Sequence, residues 1–216
     1  MDRSRLEAFS DGVFAVAITL LALNITVAGP GHGRLQHQLW DDRWSFAAYL
    51  LSFFVIGIIW VNHHALIKSV ALVDRTLLFL NLVLLLFVVL IPFSTAIVAE
   101  YLPVRGPDVK VAMVLYSAVF LGMSAGFGLV FEWTLHGDHR IVPLPPQAHW
   151  PARLRFVGGA SVYVIAGVVS LFNAIIAFIL IALTAVYYIL ERTPAVPAAS
   201  DSPGDGAPAD GSQHDQ

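Results

Sequence analysis

The chain has 216 residues, of which 57% are hydrophobic and 12% charged, with a formal net charge of −3 and no cysteine. Its mean hydropathy is +0.74. This balance is too apolar for a soluble domain and places the chain in a bilayer, and the lack of cysteine excludes a disulfide framework, an iron–sulfur cluster and a thiol nucleophile. The small negative charge is partly carried by a polar tail and gives no footing for nucleic-acid binding.

The first apolar stretch is RLEAFSDGVFAVAITLLALNITV, residues 5–27, with no ionisable side chain after Asp11. It contains a carboxylate and lacks a convincing small-residue cleavage site, so it reads as a retained helix rather than a signal peptide. On a 3.6-residue period, Val16, Thr19, Leu20, Leu23 and Val27 share one face, a single hydroxyl among branched apolar groups. Periodicity alone leaves that face open between ordinary helix packing and the lining of a pore.

AGPGHGRLQHQLWDD, residues 28–42, reads as a loop, broken by glycines and a proline. The next span begins near Trp40 and Trp44, at the depth where aromatic rings favour the membrane interface. A polar turn at 68–75 follows, with Asp74 as the N-cap of a third helix that contains Pro92 and should bend there. After a second loop at 100–110 comes a fourth span, then a proline-rich loop at 136–155. From Phe156 to Leu190 there are 35 residues without a charge. As one helix at ~1.5 Å per residue these would far exceed a ~30 Å hydrocarbon core, so SLFNA, residues 170–174, should break them into a hairpin.

The expectation is therefore an all-α, polytopic membrane domain over 1–192, with six spans at about 6–27, 44–67, 77–99, 111–131, 156–171 and 174–190. Residues 193–216, rich in Pro, Ala, Gly, Ser and Asp, have little to bury and should be disordered. Six spans put both termini on one side. Eight Lys and Arg flank that side (Arg3, Arg5, Lys68, Arg75, Arg140, Arg153, Arg155 and Arg192) against four opposite (Arg34, Arg43, Arg105 and Lys110), which favours cytoplasmic termini.

Asp11 is the most informative ionisable group, because a carboxylate near membrane depth is costly and usually faces a partner or water. In isolation, FSDG would suggest only that Ser10 or Asp11 caps the helix start. Arg5 and Phe9 share a face, whereas Asp11 points ~240° away from Arg5, so the two charges should bond to other helices rather than to each other. The available partners are Trp60, Asn62, His63 and His64 on the second span and Asn81 on the third. Adjacent histidines diverge by ~100° and make a poor metal site; one should face Asp11 and its neighbours while the other is interfacial. His136 and His139 lie in a loop without a further ligand pair and read as solvated.

Arg5-x-x-x-Phe9-Ser10-Asp11, followed by GVFAVAITLLALNI, resembles the signature of the endolysosomal potassium channel family known as transmembrane protein 175 and its prokaryotic relatives. The resemblance implies a homotetrameric, potassium-selective channel whose pore is formed by the first helix of each of four subunits, since single-repeat chains resemble the prokaryotic form. It implies that Arg5, Phe9, Ser10 and Asp11 form a cytoplasmic-side network tying the first helix to its neighbours, with Trp60, His63, His64 and Asn81 as partners. It further implies that Val16, Leu20 and Leu23 line an apolar constriction, with Thr19 supplying a hydroxyl ring. Two departures stand out: Val16 where relatives usually have Ile or Leu, and Asn24 where they often have an acid.

The implied partners are the lipid bilayer, three further copies of the chain and permeant potassium ions, with no cofactor, no resident metal and the cell membrane as location. A proton-coupled secondary transporter acting through Asp11 and the histidines is the alternative from another class, although no inverted repeat is evident. An intramembrane enzyme finds no nucleophile–base pair within the spans. Ser124-Ala125-Gly126-Phe127-Gly128 superficially resembles a carbonyl filter, but it lies within an unbroken apolar span, and Gly122-x-x-x-Gly126 suggests close helix packing instead.

Overall fold

The computed structural model describes residues 2–104, 106–136 and 139–190, and its helices are α1 (Arg3–Ala22), α2 (Leu35–Asp41), α3 (Arg43–Lys68), α4 (Arg75–Tyr101), α5 (Asp108–Thr134), α6 (Pro146–Ser170) and α7 (Ala174–Leu190). The tail expected to be disordered lies outside the described residues. Among the described residues four helices, α3 to α6, are long and apolar enough to cross a membrane, and α7 is a shorter apolar helix. Large apolar side chains remain exposed on their outer faces, including Phe79, Leu82, Leu86 and Phe93 along α4, as expected of surface that meets hydrocarbon.

The bundle centres on α4 and α5, which pack along their length, with α6 and α7 on the α5 side and α1 and α3 on the α4 side. Two glycines allow the central approach. A Cβ built on Gly126 would come within 2.9 Å of the Leu84 backbone, and one on Gly122 would meet the Phe87 ring. The SAGFG segment thus lies inside the continuous helix α5, and its Gly126, with Gly122 one turn earlier, serves close packing against α4. A buried hydroxyl junction joins three helices at mid-bundle: Ser52 Oγ lies 2.7 Å from Thr95 Oγ1 and 2.8 Å from Tyr116 Oη. Tyr116 then stacks edge-on against Phe120, which meets Tyr163 of α6.

Helix ends follow local chemistry. Asp74 Oδ1 accepts from the Leu77 amide at 2.7 Å and so caps α4, while Asn173 Oδ1 accepts from Ile175 and Ile176 and starts α7 after the turn at residues 171–173. At the same pole as Asp74, Arg153 makes a two-pronged ion pair with Glu132, tying the start of α6 to the end of α5.

Four sequence expectations need correction. The first helix stops at Ala22 rather than running to Val27. Its last turn is tightened by bonds from Leu23, Asn24 and Ile25 amides to carbonyls three residues back, and the β-branched run Ile25-Thr26-Val27 before Gly29-Pro30 continues the apolar pattern but disfavours helix. Leu23 is therefore the C-cap and Val27 lies beyond the helix.

The loop at 28–42 contains α2, pinned by Gln38, whose amide exchanges bonds with Gly29 and donates to Gly33. Gly29, Gly31 and Gly33 all take positive φ there. The second correction is thus that this segment is not loop throughout. The third is that the proline-rich loop ends early: Pro146 occupies the first position of α6, where a missing amide costs nothing, and Pro151 is accommodated inside the helix. His139 is also not solvated, because its ring stacks on Trp133 at 3.9 Å.

Candidate functional site

Helix α1 has two faces of different character. Leu6, Ser10, Phe14, Ala17 and Leu21 recur at three- and four-residue steps and are buried. They pack principally on α3 and α4. The opposite face has no protein against it: Arg5, Phe9, Val16, Thr19, Leu20 and Leu23 are all exposed, Val16 at 55% and Leu23 at 73%. Thr19 Oγ1 donates to the Val16 carbonyl at 2.8 Å, which spends its proton within the helix and leaves its lone pairs facing outward.

The buried face is fixed by a directed chain of hydrogen bonds. Asn81 Oδ1 can only accept, so the 2.7 Å contact from His63 Nε2 makes that nitrogen the protonated one. Asn81 Nδ2 then donates to Ser10 Oγ at 3.0 Å, and the Ser10 hydroxyl donates to the Leu6 carbonyl at 2.9 Å. Ser10, His63 and Asn81 are essentially sealed from solvent, and the His63 ring sits 5.3 Å from that of Phe14. Three helices are thereby locked in register through one asparagine.

Beside this chain, at a more accessible depth, run two rungs between α1 and α3. Asp11 Oδ1 accepts from the Trp60 indole at 2.8 Å, and Glu7 Oε1 lies 2.7 Å from His64 Nδ1. The second contact is short but poorly directed for a hydrogen bond. Glu7 and Asp11 are one turn apart on α1, as Trp60 and His64 are on α3, so the rungs form the antiparallel ladder that i, i+4 spacing permits.

Of the sequence-derived network, the structure brings together Ser10, Asp11, Trp60, His63, His64 and Asn81. It does not bring in Arg5 or Phe9, which stand on the open face of α1; the Arg5 side chain makes no hydrogen bond or ion pair with another described residue, and Phe9 is 51% exposed. The helix phase explains this, since both point with Val16 and Leu23 rather than with Ser10. Glu7 was missed. Its signal was its place one turn before Asp11, matching His64 one turn after Trp60. Arg3 was also not anticipated as an anchor; its Nη1 donates to the Lys68 and Val70 carbonyls at 3.1 and 3.3 Å.

Beyond the helix end, Asn24 Nδ2 donates to the Pro92 carbonyl at 3.3 Å, fastening the last turn of α1 to α4. Among the described residues no group of three or more His, Cys, Asp or Glu is placed to hold a metal.

The chain has relatives among known proteins. Residues 5–92 match the family described as endosomal/lysosomal potassium channel TMEM175. A protein of Streptomyces collinus named a potassium channel is 40% identical over 195 residues, covering 89% of this chain and 94% of that protein. Another of the same description from Chamaesiphon minutus is 33% identical, covering 88% and 95%. The fold superposes with a TM-score of 0.76 and 32% identity on the crystal structure of a lysosomal potassium-selective channel TMEM175 homolog from Chamaesiphon minutus, over 87% of this chain and 96% of that one. The family match covers α1 to the middle of α4, where Ser10, Asp11, Trp60, His63 and Asn81 lie, and the full-length relatives extend it through the remaining helices: the chain is a multi-pass membrane protein of the TMEM175 family.

Proposed function

We propose that this chain is one subunit of a homotetrameric, potassium-selective channel that conducts passively, with α1 of each copy lining the pore. The observation that carries the reading is the two-sided character of α1: one face is clamped to α3 and α4, and the other presents Val16, Thr19, Leu20 and Leu23 to no protein at all. Four such faces around an axis enclose a narrow apolar passage. Its wall offers an entering cation no replacement for its water beyond the Thr19 oxygens, so it favours the ion that dehydrates most easily, which among alkali cations is potassium over sodium. The potassium channels among the relatives support the same reading.

In this arrangement α1 and α3 to α7 supply six spans, α2 lies outside them, and both termini face the cytoplasm of a cell membrane. Among the described residues, the pole that holds the start of α1 also carries Arg3, Arg5, Lys68, Arg75, Arg140, Arg153 and Arg155, the excess expected of a cytoplasmic face. Arg5 and Phe9, pointing the same way as the pore residues, stand at the cytoplasmic mouth, where they are placed to meet neighbouring subunits.

The test is flux from liposomes holding the purified protein under a potassium gradient, repeated with sodium. Rapid potassium-preferring flux that needs no second gradient is expected. Slow, saturable flux driven by a proton gradient would instead support a proton-coupled transporter using Glu7, Asp11 and the histidines.

A further inference from the structure

Beside the start of α1 lies an open cavity of about 550 Å³ lined by Arg3, Ser4, Glu7, Arg140 and the backbone around Val70 and Ile141. The conduction reading makes no use of it. Its floor is Arg140, presented by a short bridge in which residues 69–71 pair with 139–141. Arg140 is 8% exposed, an unusual degree of burial for an arginine, and among the described residues its guanidinium makes one hydrogen bond, from Nη1 to Thr134 Oγ1 at 3.2 Å. Its Nε is buried with no partner among the described residues. No carboxylate among the described residues pairs with it, a buried cation left so is costly, and burial lowers the Arg140 pKa from its ordinary value.

Two further features point the same way. Helix α1 opens at this cavity with no side-chain cap from Asp2, so its first amides aim their positive end at the space. Arg3 closes the rim, held there by its bonds to the Lys68 and Val70 carbonyls. The one acid on the wall, Glu7, is turned to His64. The site thus combines the under-bonded Arg140 guanidinium in its lining, a second guanidinium at the rim and a helix N-terminus beside them, the kind of donor set that recognises a phosphate oxyanion.

We propose that this cavity binds a phosphate group, carried either by an anionic lipid headgroup or by a soluble phosphate, and that its occupation steadies the start of α1 against the ends of α3 and α5. The proposal is independent of which ion the protein conducts.

The purified full-length protein in detergent is titrated, with unfolding temperature as readout, against inorganic phosphate with chloride at equal ionic strength as control. Parallel titrations use phosphatidylglycerol against phosphatidylcholine in mixed micelles. Saturable stabilisation by phosphate or by phosphatidylglycerol, absent with chloride and phosphatidylcholine, is expected. Response to phosphatidylglycerol alone assigns a lipid, and response to inorganic phosphate assigns a soluble ligand.

Arg140→Gln and Arg3→Gln should each weaken the apparent affinity by about tenfold, the size expected for losing one charge-assisted contact. Arg3 is exposed, so its variant remains informative should Arg140→Gln fail to fold. No saturable shift with either probe, or a titration unchanged in Arg3→Gln, overturns the proposal.

Discussion

The indole of Trp60 donates to the Asp11 carboxylate at 2.8 Å, and this bond sits one helical turn from the Glu7–His64 contact, so that α1 and α3 are held by two rungs at matched spacing. The rungs are partly accessible, whereas the Ser10–Asn81–His63 chain behind them is sealed. The two layers should therefore differ in what they contribute. A buried polar group left unpaired costs more than a lost surface bond.

Trp60→Phe keeps the ring and removes the donor. We expect a loss of about 0.5–1.5 kcal/mol, at the modest end for a bond to a charged group because both residues are partly exposed. Thermal unfolding in detergent measures it, and an unchanged midpoint would show that the bond contributes nothing.

Asn81→Leu should cost more, about 2–4 kcal/mol, because it orphans both the His63 Nε2 proton and the Ser10 lone pair in a dry site. A double-mutant cycle with Ser10→Ala should show strong coupling, since the second change removes a group the first has already stranded. Additive effects would refute the chain of bonds.

Val16→Asn places an amide on the open face of α1 without touching the packed one. The prediction for conduction is a smaller preference for potassium, read as a shift in reversal potential in mixed potassium and sodium. An unchanged reversal potential would remove Val16 from the permeation path. Stability should change by no more than about 0.5 kcal/mol, because the side chain has no neighbour within the subunit.

Gly126→Ala forces a Cβ against the Leu84 backbone, whereas Gly128, one turn-fraction further along α5, has open space where its Cβ would stand. The first should destabilise by about 1–3 kcal/mol and the second should be neutral or stabilise by about 0.5–1 kcal/mol through lost chain entropy. Comparable losses at both positions would contradict the close α4–α5 approach.

Much of this was legible from the sequence because bilayer geometry and helix phase are simple constraints. An uncharged run too long for one crossing demanded a break, and Asn173 supplies the cap that makes one. The six-residue offset turned Asp11 away from Arg5, and Asp11 does bond to another helix while Arg5 stands open. The four were grouped through the network that the resemblance implies, whereas in this subunit helix phase turns Arg5 and Phe9 away from Ser10.

What was not legible turns on contacts across long stretches of chain. Glu7 gains its meaning only from His64, and Gln38 builds α2 by bonding to glycine backbone that composition marks as loop. The end of α1 was overrun because Ile25 to Val27 are as apolar as the helix before them. Apolarity reports burial or membrane depth, and it does not by itself report helix.

The placement of α1 at the margin of the bundle carries a consequence for how the molecule loosens. It rests on α3 and α4, while α4, α5, α6 and α7 pack against one another without it. It is attached by one apolar stripe and a handful of polar links, from Arg3 at one end through Asn81 to Asn24 at the other. Amide protons of α1 should exchange with deuterium through partial openings well before those of α4 and α5, which require the glycine-packed centre to come apart. In the proposed channel this marginal helix is the one that lines the ion path, so its position can be adjusted while the body of the subunit stays folded.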